Sequence, residues 1–363
     1  MRCQVNGKHR SLLRTVPLLV VGLLLFLLYL LLFVDIPEMI GVMQQVNVAI
    51  YSLAALALLS ETTLFTLAWQ YLLIPLSVKV PVKKTFLYVW VGVFTDLLIP
   101  AESVSGDIAK AYLMSKEPDV NPGKVAASLV SLRILSTITT TATLFISFFA
   151  LLMLDYSISG VMIQILVAVT VMSALALMLL IVFCFKEGWT KRLIYASMDF
   201  AEWISRGHLK LRRFKTRIID GLKVFHESLR IFSSKPVKLI PPITFYILAW
   251  VFSVAIVLLV FAAIGYSDPG GPLILLLKTS IVYSLLVAIK SIPIGVPAEV
   301  GIPEIFMTMS FMFFGIPREI SAAATVLTRI LTVWLRFLIG FAAVQWLGVK
   351  NLIGREDFVK AKD

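Results

Sequence analysis

Arg133 and Arg329 each stand inside a long apolar run, and the residues around them match. "VAASLVSLRIL" at 125–135 and "SAAATVLTRIL" at 321–331 share six of eleven positions. Upstream of each lies a Pro-Ala-Glu break: Pro100-Ala101-Glu102 and Pro297-Ala298-Glu299. A charge at the centre of a bilayer costs from ~3 to more than ~10 kcal/mol, so a retained arginine faces a polar cavity or a partner. Its planar fork donates two parallel hydrogen bonds and suits phosphate. Arg336 follows Arg329 by two turns on nearly the same face, and Lys278 and Lys290 lie in the neighbouring apolar segment. The acids available to these cations are Glu61, Asp96, Glu102, Asp107, Glu299 and Glu304.

Two of the acids sit where helices begin. "SVSGD" before "IAKAYLM" places Ser105 and Asp107 at an N-cap and first turn. "GIPEIFM" places Pro303 at the first helical position with Glu304 beside it. Helix starts carry free N–H groups and partial positive charge, which favour an anion. Two chemistries are open. In one, half-helix N-termini and the two arginines hold a phosphate. In the other, Asp107 and Glu304 cap their own helices and pair with the arginines as structural ion pairs. Gly106 and Gly301 serve tight turns in either case. Glu61 and Gln70 read as polar contacts between helices.

The elements that must position these groups follow from composition. Hydrophobic residues make up 59% of the 363 and charged residues 15%, well short of the roughly 25% charged in soluble domains. Several windows exceed the ~18 uncharged residues needed to span hydrocarbon. The expectation is an all-α polytopic membrane protein. Full spans are expected at 16–34, 46–74, 124–154, 160–185, 239–264 and 319–348. The first apolar run reads as a retained helix, since it is too long for a signal-peptide core. Two segments are too short or too broken to cross simply: 85–115, which contains "IPAESVSGDIAKAY", and 273–316, which contains "SIPIGVPAEVGIPE". Proline breaks the helical ladder, and backbone freed in this way must lie in protein or line a wet cavity. Both read as re-entrant hairpins.

Net charge is +12, and Lys and Arg crowd the N-terminus, 79–84, 110–124, 186–238 and the tail 349–363. With those stretches cytoplasmic, the first hairpin opens inward and the second outward. Residues 1–159 and 160–348 then form an inverted-topology repeat with broken helices at corresponding places. Both termini are expected inside, in a multi-pass protein of the cell membrane. Loop 186–238 shows two apolar stripes at helical spacing: Trp189, Leu193, Ala196, Phe200 and Trp203, then Ile218, Leu222, Phe225, Leu229 and Phe232. Basic amphipathic helices on anionic inner-leaflet lipids fit this, as does a solvated loop packed on the protein. The charge placement is explained by the membrane, so nucleic acid is not an expected partner, and the oligomeric state stays open.

Cys3 and Cys184 are too far apart for a disulfide framework, and His9, His208 and His226 lie in basic flanks. No metal site, cofactor site or enzyme motif is expected. The residues alone lead to a transporter or a lipid-binding membrane protein.

"TDLLIPAESVSGDIAKAYLM" with "AASLVSLR", and "IPIGVPAEVGIPE" with "FFGIPREISAAATVLTR", resemble the two signatures of the lysylphosphatidylglycerol synthase transmembrane-region family. This is the flippase-like domain of multiple peptide resistance factor proteins, and the resemblance runs along essentially the whole chain. Pro100, Gly106, Asp107 and Arg133 match the first signature; Pro293, Pro297, Gly301, Glu304 and Arg329 match the second. The chain departs from the family at Asp96, Leu132 and Ala298-Glu299. The resemblance implies movement of a phosphate-bearing phospholipid, glycolipid or polyprenyl-linked lipid. Joined to the reading of the residues above, it gives an expected headgroup site of Arg133, Arg329, Lys110, Gly106, Asp107, Gly301 and Glu304, with Asp96, Glu102, Glu299, Arg336 and Lys290 as supporting cavity residues. Only a short tail follows residue 348, so lysyl transfer is not expected. A proton- or ion-coupled carrier of a small anion, titrating Asp107 or Glu304, and a non-transporting accessory of a lipid-modifying enzyme are the other readings.

Overall fold

The computed structural model describes residues 36–99, 104–188, 190, 192, 212–234, 236–290 and 301–348. The predicted span 16–34, the Pro-Ala-Glu breaks with Glu102 and Glu299, the first stripe of loop 186–238 and the tail lie outside the described residues. The described elements are helical, with no strand among them: α1 (Ile36–Gln44), α2 (Val48–Leu73), α3 (Val82–Leu98), α4 (Val104–Ser115), α5 (Pro122–Met153) and α6 (Gly160–Phe185). They continue with α7 (Arg212–Ser234), α8 (Ile240–Ala263), α9 (Pro272–Lys290), α10 (Ile302–Phe313), α11 (Arg318–Arg329) and α12 (Arg336–Trp346). Among the described residues six helical segments are long and apolar enough to cross a membrane: 48–76, 122–153, 160–184, 236–263, 272–290 and 318–346. Five coincide with predicted spans. The sixth, α9, was expected as a hairpin arm; it holds nineteen apolar-rich residues before the break.

The helix starts follow local chemistry. Asn47 accepts from the N–H groups of Ala49 and Ile50 at 3.1 and 3.2 Å, and Asn121 accepts from Gly123 at 2.8 Å with Pro122 leading the helix. Helix α1, not foreseen in the sequence, lays Met39 over Ala322 and Ala323 of α11.

Packing comes in matched pairs. Helices α2 and α8 run along each other at the centre, antiparallel, with the Asn47 N–H on the Ala263 carbonyl at 2.8 Å. Helix α3 packs on α12, and α9 packs on α5. Helix α4 packs on α5, and α10 on α11. The outer ends of α3 and α4 meet where Lys84 Nζ lies 2.8 Å from Glu117 Oε2 and the Tyr88 hydroxyl donates to Glu117 Oε1. The outer ends of α9 and α10 meet at the opposite end of the bundle. There Lys278 pairs with Asp268 at 2.6 Å, both buried, and stands 4.6 Å over the Tyr156 ring. The Tyr156 hydroxyl donates to the Phe314 carbonyl at 2.7 Å.

Within the first pair the two arms nearly touch. A Cβ on Gly106 would stand 2.1 Å from Asp96 Oδ2 and 2.5 Å from the Gly92 carbonyl. Helix α6 is different, with apolar side chains exposed all round it, among them Val167, Val171, Leu175 and Leu179. That is the signature of a lipid-facing helix. Helix α7 turns the predicted positions Leu222, Leu229 and Phe232 inward as buried residues, and it packs on α5. The described part of its apolar stripe therefore packs against protein.

Two outcomes follow. Gly106→Ala should lower thermal stability in detergent by about 1–3 kcal/mol, the usual cost of overpacking, while Gly160→Ala, with nothing within 4 Å, stays near wild type. At Glu117, burial alone would raise the carboxyl, but hydrogen bonds from Lys84 and Tyr88 and the Lys84 charge outweigh it and hold the group below its ordinary 4.5. The stabilisation from this clamp is full above that ordinary value and drains as pH falls through the lower folded value. Lys84 is half exposed, so the amount is below about 1 kcal/mol. Thermal melts across acidic pH should show this slope in wild type and lose it in Glu117→Gln.

Candidate functional site

Each signature arginine is the twelfth residue of its helix, α5 from Pro122 and α11 from Arg318. At the helical rise of 1.5 Å that is about 16 Å from the helix start, half the ~30 Å hydrocarbon thickness. The two then meet different partners.

Arg329 is buried and its Nε lies 2.6 Å from Oε1 of Glu304, which is also buried. The second carboxylate oxygen of Glu304 accepts from the Gly301 N–H at 2.6 Å. Glu304 thus caps its own helix and neutralises Arg329 at once. Gly301 has φ of 104°, a conformation that glycine adopts without strain. Helix α10 begins at Ile302, one residue before the Pro303 start expected from the sequence.

In the first half the cap comes from the other arm. Asp96 of α3 accepts from the Gly106 N–H at 2.6 Å and from the Ser105 hydroxyl at 2.8 Å. Helix α4 already runs from Val104, so Ser105 is inside the helix and not its N-cap. Asp107, in the first turn, pairs with Lys110 at 2.6 Å, not with Arg133. The Lys110 ammonium also lies 5.4 and 5.9 Å from the Phe65 and Trp69 rings of α2, where cation–π attraction supports it.

A π segment, Ile330–Leu335, separates Arg329 from Arg336. Such wide turns are common at functional sites. The sequence placed these two arginines on nearly one face, and both line one small cavity, yet they reach different acids. Arg329 reaches α10, whereas Arg336 Nη2 reaches Glu61 Oε2 of α2 at 2.7 Å. Glu61 also accepts from the Thr62 hydroxyl at 3.0 Å.

Glu61, Asp96, Asp107, Lys110, Arg133, Lys290 and Arg336 line one cavity of about 270 Å³, together with Ser136, Tyr246, Tyr283 and Thr332. Three of its acids are committed: Glu61 to Arg336, Asp107 to Lys110, and Asp96 to the α4 start. Among the described residues Arg133 has no carboxylate partner, and it is half-buried in the cavity wall. Arg329 lines a smaller adjoining cavity of about 60 Å³ that shares Tyr283, Lys290, Thr332 and Arg336 with the first. The two arginines therefore do not face each other across one pocket. Glu61 makes the polar contact between helices that the sequence suggested, whereas Tyr246 and Tyr283 were missed, since a hydroxyl within an apolar span carries no periodic signal. Among the described residues no cluster of His, Cys, Asp and Glu could hold a metal ion.

The family model for the lysylphosphatidylglycerol synthase TM region matches residues 18–340. The chain belongs to this family. The match spans both signature arginines. The chain is similar to UPF0104 membrane proteins of three archaea. It is 22% identical to one of Methanocaldococcus jannaschii over 88% of this chain and 91% of that protein. It is 24% identical to one of Methanothermobacter thermautotrophicus over 78% and 81%, and 21% identical to one of Pyrococcus horikoshii over 89% and 94%.

In this family member, removing one partner of the buried Glu304–Arg329 pair leaves an uncompensated charge. Glu304→Gln should cost about 3–5 kcal/mol, read as a drop in thermal midpoint in detergent. Adding Arg329→Met should recover part of that loss.

Proposed function

We propose that this chain is a multi-pass lipid transporter of the cell membrane that moves a phosphate-bearing lipid across the bilayer, with Arg133 as the phosphate ligand. The observation that carries the reading is Arg133 itself: a cation on a membrane-crossing helix, lining a polar cavity, with no carboxylate partner among the described residues. A guanidinium left this way costs several kcal/mol unless water or an anion completes its hydrogen bonding. A phosphate satisfies it with paired hydrogen bonds.

The surrounding pairs make the cavity adjustable. Among the described residues Lys110–Asp107 and Arg336–Glu61 are each a single ion pair. Each cation can lean toward a bound anion while its acid keeps it charged and placed. Arg329, Glu304 and Gly301 serve instead as the fixed hub of the second half. In the same reading the α3–α4 and α9–α10 pairs are re-entrant, opening to opposite sides. Residues 1–159 and 160–348 are inverted halves that rock about the α2–α8 contact. The matched packing partners and the equivalent arginine positions support this. The family is a transmembrane region rather than a catalytic domain, which supports a non-enzymatic role.

The test is lipid movement in liposomes containing fluorescent headgroup-labelled phosphatidylglycerol, with quenching of the outer leaflet. Wild type should move the label, and Arg133→Ala should slow it by about tenfold or more, the worth of a charge-assisted hydrogen bond. Arg318→Ala, at an exposed helix start, should not change it. Uptake of inorganic phosphate without lipid movement would replace this reading with a small-anion carrier.

A further inference from the structure

A second cavity of about 320 Å³ lies between α5, α6 and α9. It shares Arg133, Ser136 and Val287 with the charged cavity, so the two are contiguous at Arg133. Their characters differ sharply. Seven ionisable acids and bases line the first, whereas Arg133 is the one such residue on the second. Its walls are otherwise apolar or hydroxylic: Thr137, Thr140 and Thr141 from α5, and Met172, Ser173 and Ala176 from α6.

We infer that this groove seats a fatty acyl chain, with its ester linkage, of the lipid whose phosphate engages Arg133. The inference rests on the reading of Arg133 as the phosphate ligand. Three observations favour an acyl chain over any other occupant. The groove begins at the cation that would hold the headgroup. Thr137 and Thr141 stand about 6 and 12 Å along the helix from Arg133, which places uncharged hydroxyls next to the phosphate position and apolar wall beyond it. The Thr141 Oγ1 is buried without a hydrogen-bond partner, a donor available to an ester carbonyl. The outer wall, α6, has no charged residue from Gly160 to Phe185 and exposes apolar side chains to the lipid. A chain leaving the bilayer for this groove trades one apolar medium for another, so the groove gives no hydrophobic gain. Its effect is to keep the tail beside the protein while the headgroup occupies the polar cavity.

The test uses full-length protein in phosphatidylcholine vesicles containing phosphatidylglycerol with a mid-chain diazirine. After illumination, labelled peptides are mapped in wild type, Ala176→Trp, Arg133→Ala and Leu179→Trp. Leu179 is exposed to the lipid and outside the groove. Wild type should label 137–141 and 172–176. Both Ala176→Trp and Arg133→Ala should reduce that labelling severalfold, with Leu179→Trp unchanged. Labelling at the exposed Phe145 and Phe149 should persist in all four and reports a folded protein.

Groove labelling that ignores both variants overturns the inference. So does groove labelling that responds to Ala176→Trp but not to Arg133→Ala, since the chain is then unconnected to the headgroup site. Headgroup movement undiminished in Ala176→Trp overturns it too, and leaves the transport reading standing. Groove labelling that responds to both variants, with no lipid movement by wild type, supports the acyl site and removes the transport reading.

Discussion

A charge removed from water must be paired or wetted, and the interior of this protein is organised around that constraint. Lys278 is answered by Asp268, Arg329 by Glu304, Arg336 by Glu61 and Lys110 by Asp107. Except for Lys110–Asp107, which lies within one helix, these pairs join different elements. Arg336–Glu61 ties the last helix to α2, and Lys278–Asp268, with Tyr156 beside it, gathers three turns at one end of the bundle. Against that background Arg133 stands out: among the described residues it has no carboxylate partner, and it lines a cavity.

The two halves solve the same backbone problem by different means. A helix that starts inside the bundle has free N–H groups that must find acceptors. In the second half Glu304 reaches back to Gly301 from its own helix and still has an oxygen for Arg329. In the first half Asp96 reaches across from the preceding arm, and both of its described hydrogen-bond donors belong to the start of α4. Asp107 then goes to Lys110. Two similar segments thus diverge: Arg329 is ion-paired with Glu304, while Arg133 has no carboxylate partner among the described residues.

The shape around Arg133 sets what its availability can mean. A closed polar void would hold water or a small anion. Here the polar cavity continues past Arg133 into a hydroxyl-lined, mainly apolar groove beneath α6. A single side chain thus marks the boundary between two environments of opposite character. That boundary has the chemistry of an amphiphile.

Much of this was legible in the chain itself. Hydrophobic length located five of the six described spans within a few residues, because a helix needs a fixed number of apolar residues to cross hydrocarbon. Proline and glycine located both helix breaks, and the two arginines emerged from repeated spacing. Pairing was not legible. Whether Asp107 paired with Arg133 or Lys110, and which acid Arg336 reached, emerged only with the packed helices. The apolar stripe of α7 was read correctly as a stripe, but its covering by α5 required the tertiary contact. The sequence determined where charge enters the membrane; the fold decided which charges cancel, because cancellation depends on distances between segments far apart in the chain.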